Sequence, residues 1–149
     1  MCLVLLQGCF FVMNQMAKSF TLGKNERLKR RKVIEQLFRD GKAVTLFPLR
    51  VQYLVVSHLT DPLQAGFSVS SRHFKKAVHR NRIKRLMREA YRLQKKDVQE
   101  ALQGKPQQMA LFFIYTGKEL PDYSMVNERI ALLLNKLLRI ANEIPAAHT

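Results

Sequence analysis

The chain has no tryptophan and only two cysteines, Cys2 and Cys9, which lie close together at its start. Neither has a histidine or carboxylate beside it at ligand spacing, so neither a zinc site nor a disulfide framework is expected. A reducing cytoplasm is the expected home. Long hydrophobic runs are also missing. The opening MCLVLLQGCFFVM is broken by Gln7 and Gly8, lacks a basic start, and is too short to span a bilayer, so no membrane partner is expected. Met13 or Met16 is the expected true start. Acidic residues are few, 11 against 26 Lys and Arg, and the carboxylates Glu26, Glu35, Asp40, Asp61 and Glu89 are scattered. No two share ligand spacing inside an apolar element, which argues against a protein nuclease site and against a metal site.

The chain does have a net charge of +15 on a 149-residue sequence that is 47% hydrophobic. That length supports one domain with a real core, and the charge implies a polyanionic partner. Between Phe74 and Lys96 the sequence FKKAVHRNRIKRLMREAYRLQKK holds ten Lys or Arg and one acid, Glu89. At about 100° per residue, Ile83, Leu86, Met87, Ala90 and Leu93 share one arc. Lys84, Arg85, Arg88 and Arg92 share the opposite one, with Asn81 among them. Such a helix buries one stripe and turns fork-shaped guanidinium groups toward a polyanion, for which nucleic acid is the best candidate.

Around this helix the elements alternate in type. Glu26 to Arg39 carries Val33, Ile34, Leu37 and Phe38 on one side and Arg27, Arg31, Lys32 and Arg39 among its polar positions, an amphipathic helix closed by Gly41. Val44 to Leu59 is β-branched and aromatic, with Pro48 interrupting it near its start and a separate short strand open around Val44 to Leu46. Gln64 to Ser70 alternates as a strand that could pair antiparallel with it. The basic helix follows and frays into Gln94 to Gln108. Met109 to Tyr115 reads as a central strand covered on both faces, and Met125 to Ile140 as a last amphipathic helix. The order α-β-β-(β)-α-β-α describes a single-domain α+β sandwich with a small mixed sheet.

Lys76-Ala77-Val78-His79-Arg80-Asn81-Arg82-Ile83-Lys84-Arg85-Leu86-Met87-Arg88-Glu89 resembles the RNR signature of the bacterial ribonuclease P protein subunit. The strand Gly66-Phe67-Ser68-Val69-Ser70 and the helix Leu28 to Gly41 extend the resemblance, which runs from about Phe20 to Arg139. It implies a domain over residues 20–139, a non-family extension over 1–19 and a tail over 140–149. It also implies a left-handed βαβ crossover, contrary to the usual preference. By resemblance the chain is the protein subunit of an endoribonuclease whose RNA subunit, with its bound Mg2+, removes the 5′ leader from precursor tRNA. Expected partners are the catalytic RNA subunit, one to one, and precursor tRNA. The protein itself would hold no cofactor and no catalytic residue.

The residues implied for the RNA subunit are Lys76, Arg80, Asn81, Arg82, Lys84, Arg85 and Arg88, where guanidinium groups can grip phosphates bidentately. Those implied for the leader are Ile34, Phe38, Tyr53 and Arg72, in a cleft between the first helix and the sheet. A slip of one residue through Phe47-Pro48 would put Gln52 in the cleft and turn Tyr53 to the other face. Two positions depart from the family pattern: Ser71-Arg72 stands where two lysines are usual, and Thr116-Gly117-Lys118 where a basic residue comes first.

Blander readings compete. A charge run is usually a solvated face, yet ten bases against one acid repel one another without a partner. Periodicity alone makes Ile34 and Phe38 core residues, and Phe112-Phe113 reads as core. His73 and His79 read as surface or RNA-adjacent. The runner-up function is a ribosomal or RNA-chaperone protein, which would not require the cleft. A sequence-specific DNA-binding protein ranks third, since no helix-turn-helix or dimerising element is visible.

Overall fold

The computed structural model describes residues 22–145. The expected extension over 1–19, the candidate starts and the last residues of the expected tail lie outside them. The described elements are α1 (Arg31–Asp40), β1 (Lys42–Leu46), β2 (Leu49–Val56), β3 (Leu63–Val69), α2 (Ala77–Gln94), α3 (Lys96–Leu102), β4 (Gln108–Tyr115) and α4 (Tyr123–Glu143). The α+β sandwich expected from the sequence is present, with one sheet in the order β1-β2-β4-β3.

Pro48 splits the long β-rich segment. A cis peptide joins Phe47 to Pro48, and the turn there lets β1 fold back antiparallel on β2, with Val44 opposite Val51. The Pro48 carbonyl accepts from both the amide (2.8 Å) and the hydroxyl (2.9 Å) of Thr116, which ties this turn to the end of β4. The expected antiparallel pairing of the third strand with the second does not occur. β4 lies between them, antiparallel to β2 and parallel to β3. The continuously apolar MALFFIY segment takes the centre, where a strand is covered on both faces, with only Phe112 and Ile114 half-buried.

The two faces of the sheet carry separate cores. On one, Leu49, Val51, Ala65, Val69, Met109, Leu111, Phe113 and Tyr115 pack with Ile83, Met87, Ala90 and Tyr91 of α2, Val98 and Leu102 of α3, and Val126, Ile130, Leu133, Leu134 and Leu137 of α4. On the other, Leu28, Val33 and Leu37 pack on Val56, Leu59 and Ala110. The buried stripe of α2 is therefore rotated from the sequence expectation: Tyr91 is buried, and Leu93 is 43% exposed. Tyr91 draws the helix round by meeting Phe67 edge-on (5.6 Å between centroids) and Phe113 at 5.5 Å. Burying a large apolar side chain contributes about 1.5–3 kcal/mol, against a few tenths for each like-charge pair on a helix surface. Packing, not charge pattern, holds α2.

Three boundaries differ from expectation. Helix α1 starts at Arg31, because Glu26 to Leu28 run instead alongside β3: the Leu28 amide donates to the Ala65 carbonyl (3.0 Å) and the Ala65 amide to the Glu26 carbonyl (2.9 Å). The basic helix breaks at Lys95, and a separate α3 follows in place of frayed chain. Helix α4 starts at Tyr123 and runs to Glu143, beyond the expected Met125 to Ile140, with Ala141 and the following Ile144 buried in the main core.

Candidate nucleic-acid interface

Helix α2 presents the basic surface. With Ile83, Met87, Ala90 and Tyr91 turned into the core, Asn81, Arg82, Arg85 and Arg88 are exposed and Lys84 is half-buried. The carboxylate on this face, Glu89, is taken by Arg92 at 2.6 Å. The hydrogen bond from Arg92 holds Glu89 below the ordinary carboxylate range, so it stays ionised and committed. Arg82, Arg85 and Arg88 have no acidic partner among the described residues. The helix N-terminus adds to the positive potential: Lys76 occupies the cap position, no side chain caps it, and no acid lies in the first turn.

Arg80 differs from its neighbours. Its Nη1 donates to the carbonyls of Phe74 (2.8 Å) and Lys75 (2.7 Å), so the side chain braces the loop that leads into α2. At 100° per residue it falls on the core-facing side of the helix, in line with Met87 and Tyr91 further along. One edge of its fork is thereby spent inside the protein.

A second surface lies on the opposite face of the sheet. Ile34 packs at the edge of the smaller core, and Phe38, 46% exposed, meets Phe112 edge-on with centroids 5.1 Å apart. Phe112 lies in register with Gln52 on β2 and Gly66 on β3. A Cβ at Gly66 would sit 2.6 Å from the Phe112 ring, so glycine is what lets that ring lie across β3. The next row toward the C-terminal end of β4 is Arg50, Ile114 and Ser68. Helix α1 ends near Phe112 and leaves that row open. Arg72 is exposed in the turn that follows β3, at the same end of the sheet.

Tyr53 does not join this surface. It packs against the larger core on the other face, next to Asp40, Lys42, Ile140 and Glu143. Gln52 takes the cleft position, 9% exposed, and its Oε1 has no hydrogen-bond partner among the described residues. The parity of β2 is set by its pairing across the Phe47–Pro48 turn, and one residue inverts it. Phe112 was missed for the same kind of reason. In an uninterrupted apolar run nothing marks which of two adjacent phenylalanines faces which layer, and only Phe113 is main-core.

Among the described residues no group of His, Cys, Asp and Glu is placed to hold a metal ion, and no helix is long and apolar enough to cross a membrane.

The family model described as Ribonuclease P matches residues 22–139, most of the chain. The chain belongs to the ribonuclease P protein family. A relative from Porphyromonas gingivalis named Ribonuclease P protein component is 38% identical over 130 residues, covering 87% of this chain and 93% of the relative. One of the same name from Chlorobium phaeobacteroides is 31% identical over 128 residues, covering 78% and 88%. Among solved structures, the RNase P protein from Thermotoga maritima is 28% identical with a TM-score of 0.58, over 76% of this chain and 96% of that one. The Staphylococcus aureus RNase P protein, at 21% identity and TM-score 0.60 over 82% and 100%, shares the fold.

Proposed function

We propose that this ribonuclease P family chain acts in the cytoplasm as the protein subunit of the tRNA-processing holoenzyme, with two RNA-facing surfaces. The basic arc of α2 binds the catalytic RNA subunit, and the half-open cleft beside Phe38 and Phe112 receives the single-stranded 5′ leader of precursor tRNA. Cleavage is carried out by the RNA subunit and its Mg2+. The observation that carries this reading is the separation of two chemistries on two faces of one sheet. On one side stand guanidinium groups whose mutual repulsion only a polyanion relieves. On the other stand aromatic rings, one of them nearly half exposed, against which unstacked bases can lie. A ribosomal or RNA-chaperone protein would explain the first surface and leave the second without a purpose.

Reconstitution tests the reading. Added to the cognate RNA subunit at low Mg2+, the protein should raise the rate of leader removal from precursor tRNA, while alone it cleaves nothing. Cleavage by the protein alone, surviving metal-free repurification and digestion of RNA, would falsify the division of labour.

A further inference from the structure

We propose that Arg27, carried by the segment before α1, completes a phosphate-binding groove with Arg85 and Arg88 of α2, and that the buried Glu26–Lys95 pair fixes it there. The inference rests on the assignment of the α2 face to the catalytic RNA subunit and adds to it a residue from another part of the chain.

The groove, of about 410 Å3, is lined by Leu22, Arg27, Arg85, Arg88, Glu89 and Arg92. Its carboxylate is already held by Arg92 at 2.6 Å. Arg27, Arg85 and Arg88 are exposed, and three guanidinium groups from two elements converge on one concavity with no acidic partner among the described residues to neutralise them. Like charges brought together at a groove raise the local potential for an anion, and a guanidinium fork fits a phosphodiester oxygen pair.

The convergence is built, not incidental. Residues 25–28 line the free edge of β3: Arg27 bridges Ala65 in parallel, and the Gln64 side chain donates to the Asn25 carbonyl at 2.7 Å. Glu26 then turns inward. Its carboxylate accepts from Lys95 Nζ at 2.6 Å, from the Gly23 amide at 2.5 Å and from Gln99 Nε2 at 3.2 Å. The Lys95 side chain is 2% exposed and that of Glu26 15%. Lys95 sits at the break between α2 and α3, so the pair fastens the segment that carries Arg27 to the end of the helix that carries Arg85 and Arg88.

The test measures equilibrium binding of the full chain to the catalytic RNA subunit across a range of KCl concentrations, with Arg27→Ala, Arg85→Ala and, as a control on the far helix, Arg139→Ala. Arg27→Ala should reduce the slope of log affinity against log salt by about 0.7–0.9, as one lost phosphate contact does, and Arg85→Ala should match it. Arg139→Ala should leave the slope unchanged. Arg27 offers only an exposed side chain, so its variant keeps the wild-type melting temperature. Glu26→Gln, which keeps the shape but drops the ion pair, should weaken binding further at Arg27 than at Arg88: combined with Arg27→Ala it adds little, combined with Arg88→Ala it adds in full. A slope for Arg27→Ala equal to wild type, with Arg85→Ala reduced, overturns the groove and leaves the RNA-subunit assignment standing. A change seen only in precursor tRNA binding by the preformed holoenzyme assigns the phosphate to the substrate and also overturns it. Failure of the wild-type chain to bind the RNA subunit overturns the assignment and the groove together.

Discussion

Phe38 of α1 and Phe112 of β4 meet edge to face, centroids 5.1 Å apart and planes at 70°, and this contact seats the end of the helix on the central strand. It joins a helix that the sequence marks as amphipathic to the face of the central strand that the sequence leaves unmarked. Phe38 keeps 46% of its surface exposed, so truncation there costs less than the roughly 3–5 kcal/mol typical of a fully buried phenylalanine.

Phe38→Ala should keep the fold and reduce the preference for precursor over mature tRNA. A base stacked on a ring is worth about 1–3 kcal/mol, so the ratio of dissociation constants should fall by about tenfold. Binding of the RNA subunit in the absence of tRNA should stay unchanged. A folded variant with the wild-type ratio would remove the ring from the leader site.

Gln52 and Tyr53 separate by parity. Gln52→Leu removes a buried oxygen without a partner, so stability should hold or rise slightly, while leader discrimination falls. Tyr53→Ala should lower the melting temperature through lost packing and leave discrimination intact. If the effects of the two variants were exchanged, the assignment of the faces would be reversed.

Lys95→Met leaves the Glu26 carboxylate largely buried without its cation. Breaking such a pair from one side costs about 3–5 kcal/mol, read as a shift in the urea midpoint. The double variant Glu26→Gln with Lys95→Met should recover most of that loss, since no charge is then stranded. Equal loss in the single and double variants would mean that Lys95 acts by packing alone.

Arg80→Ala should lower both stability and RNA affinity, because the side chain holds the Phe74 and Lys75 carbonyls. The group is partly exposed, so the stability loss should be about 1–2 kcal/mol, at the low end for hydrogen bonds from a charged group. Arg82→Ala should lower affinity alone. Thermal melts beside salt-dependent binding distinguish them, and an Arg80 variant as stable as wild type would show that the loop does not need its brace.

Burial pushes the Tyr91 phenol well above its ordinary value of 10.0, and the nearby Glu26 carboxylate adds to the shift. The sign follows from proton binding: above pH 10 the unfolded chain releases this proton and the folded chain keeps it. The contribution is whole below pH 10 and is lost progressively above it. Phenolate absorbance should show one tyrosine that titrates only as the protein unfolds. A Tyr91 phenolate formed in the intact fold near pH 10 would contradict its burial beside Glu26.

Legible in the chain alone were the basic helix, the amphipathic first and last helices, the central position of the Met109 to Tyr115 strand and the interruption at Pro48. Each is written in a local signal: a repeat of about 3.6 residues, an unbroken apolar run, or a residue that cannot donate a backbone hydrogen bond. The family motif runs from the cap of the basic helix along its first turns, and it was legible as a resemblance carried by contiguous residues. Packing between distant segments settled which side of β2 faces α1, that Phe112 and not Phe113 meets Phe38, that Tyr91 rather than Leu93 is buried, and that Arg80 turns part of its charge inward. It also decided that Lys95, one of ten bases in a run that reads as surface, is buried against a carboxylate 69 residues away. Strand parity and helix rotation are set by partners distant in sequence, and a change of one residue or a fraction of a turn exchanges the inside for the outside.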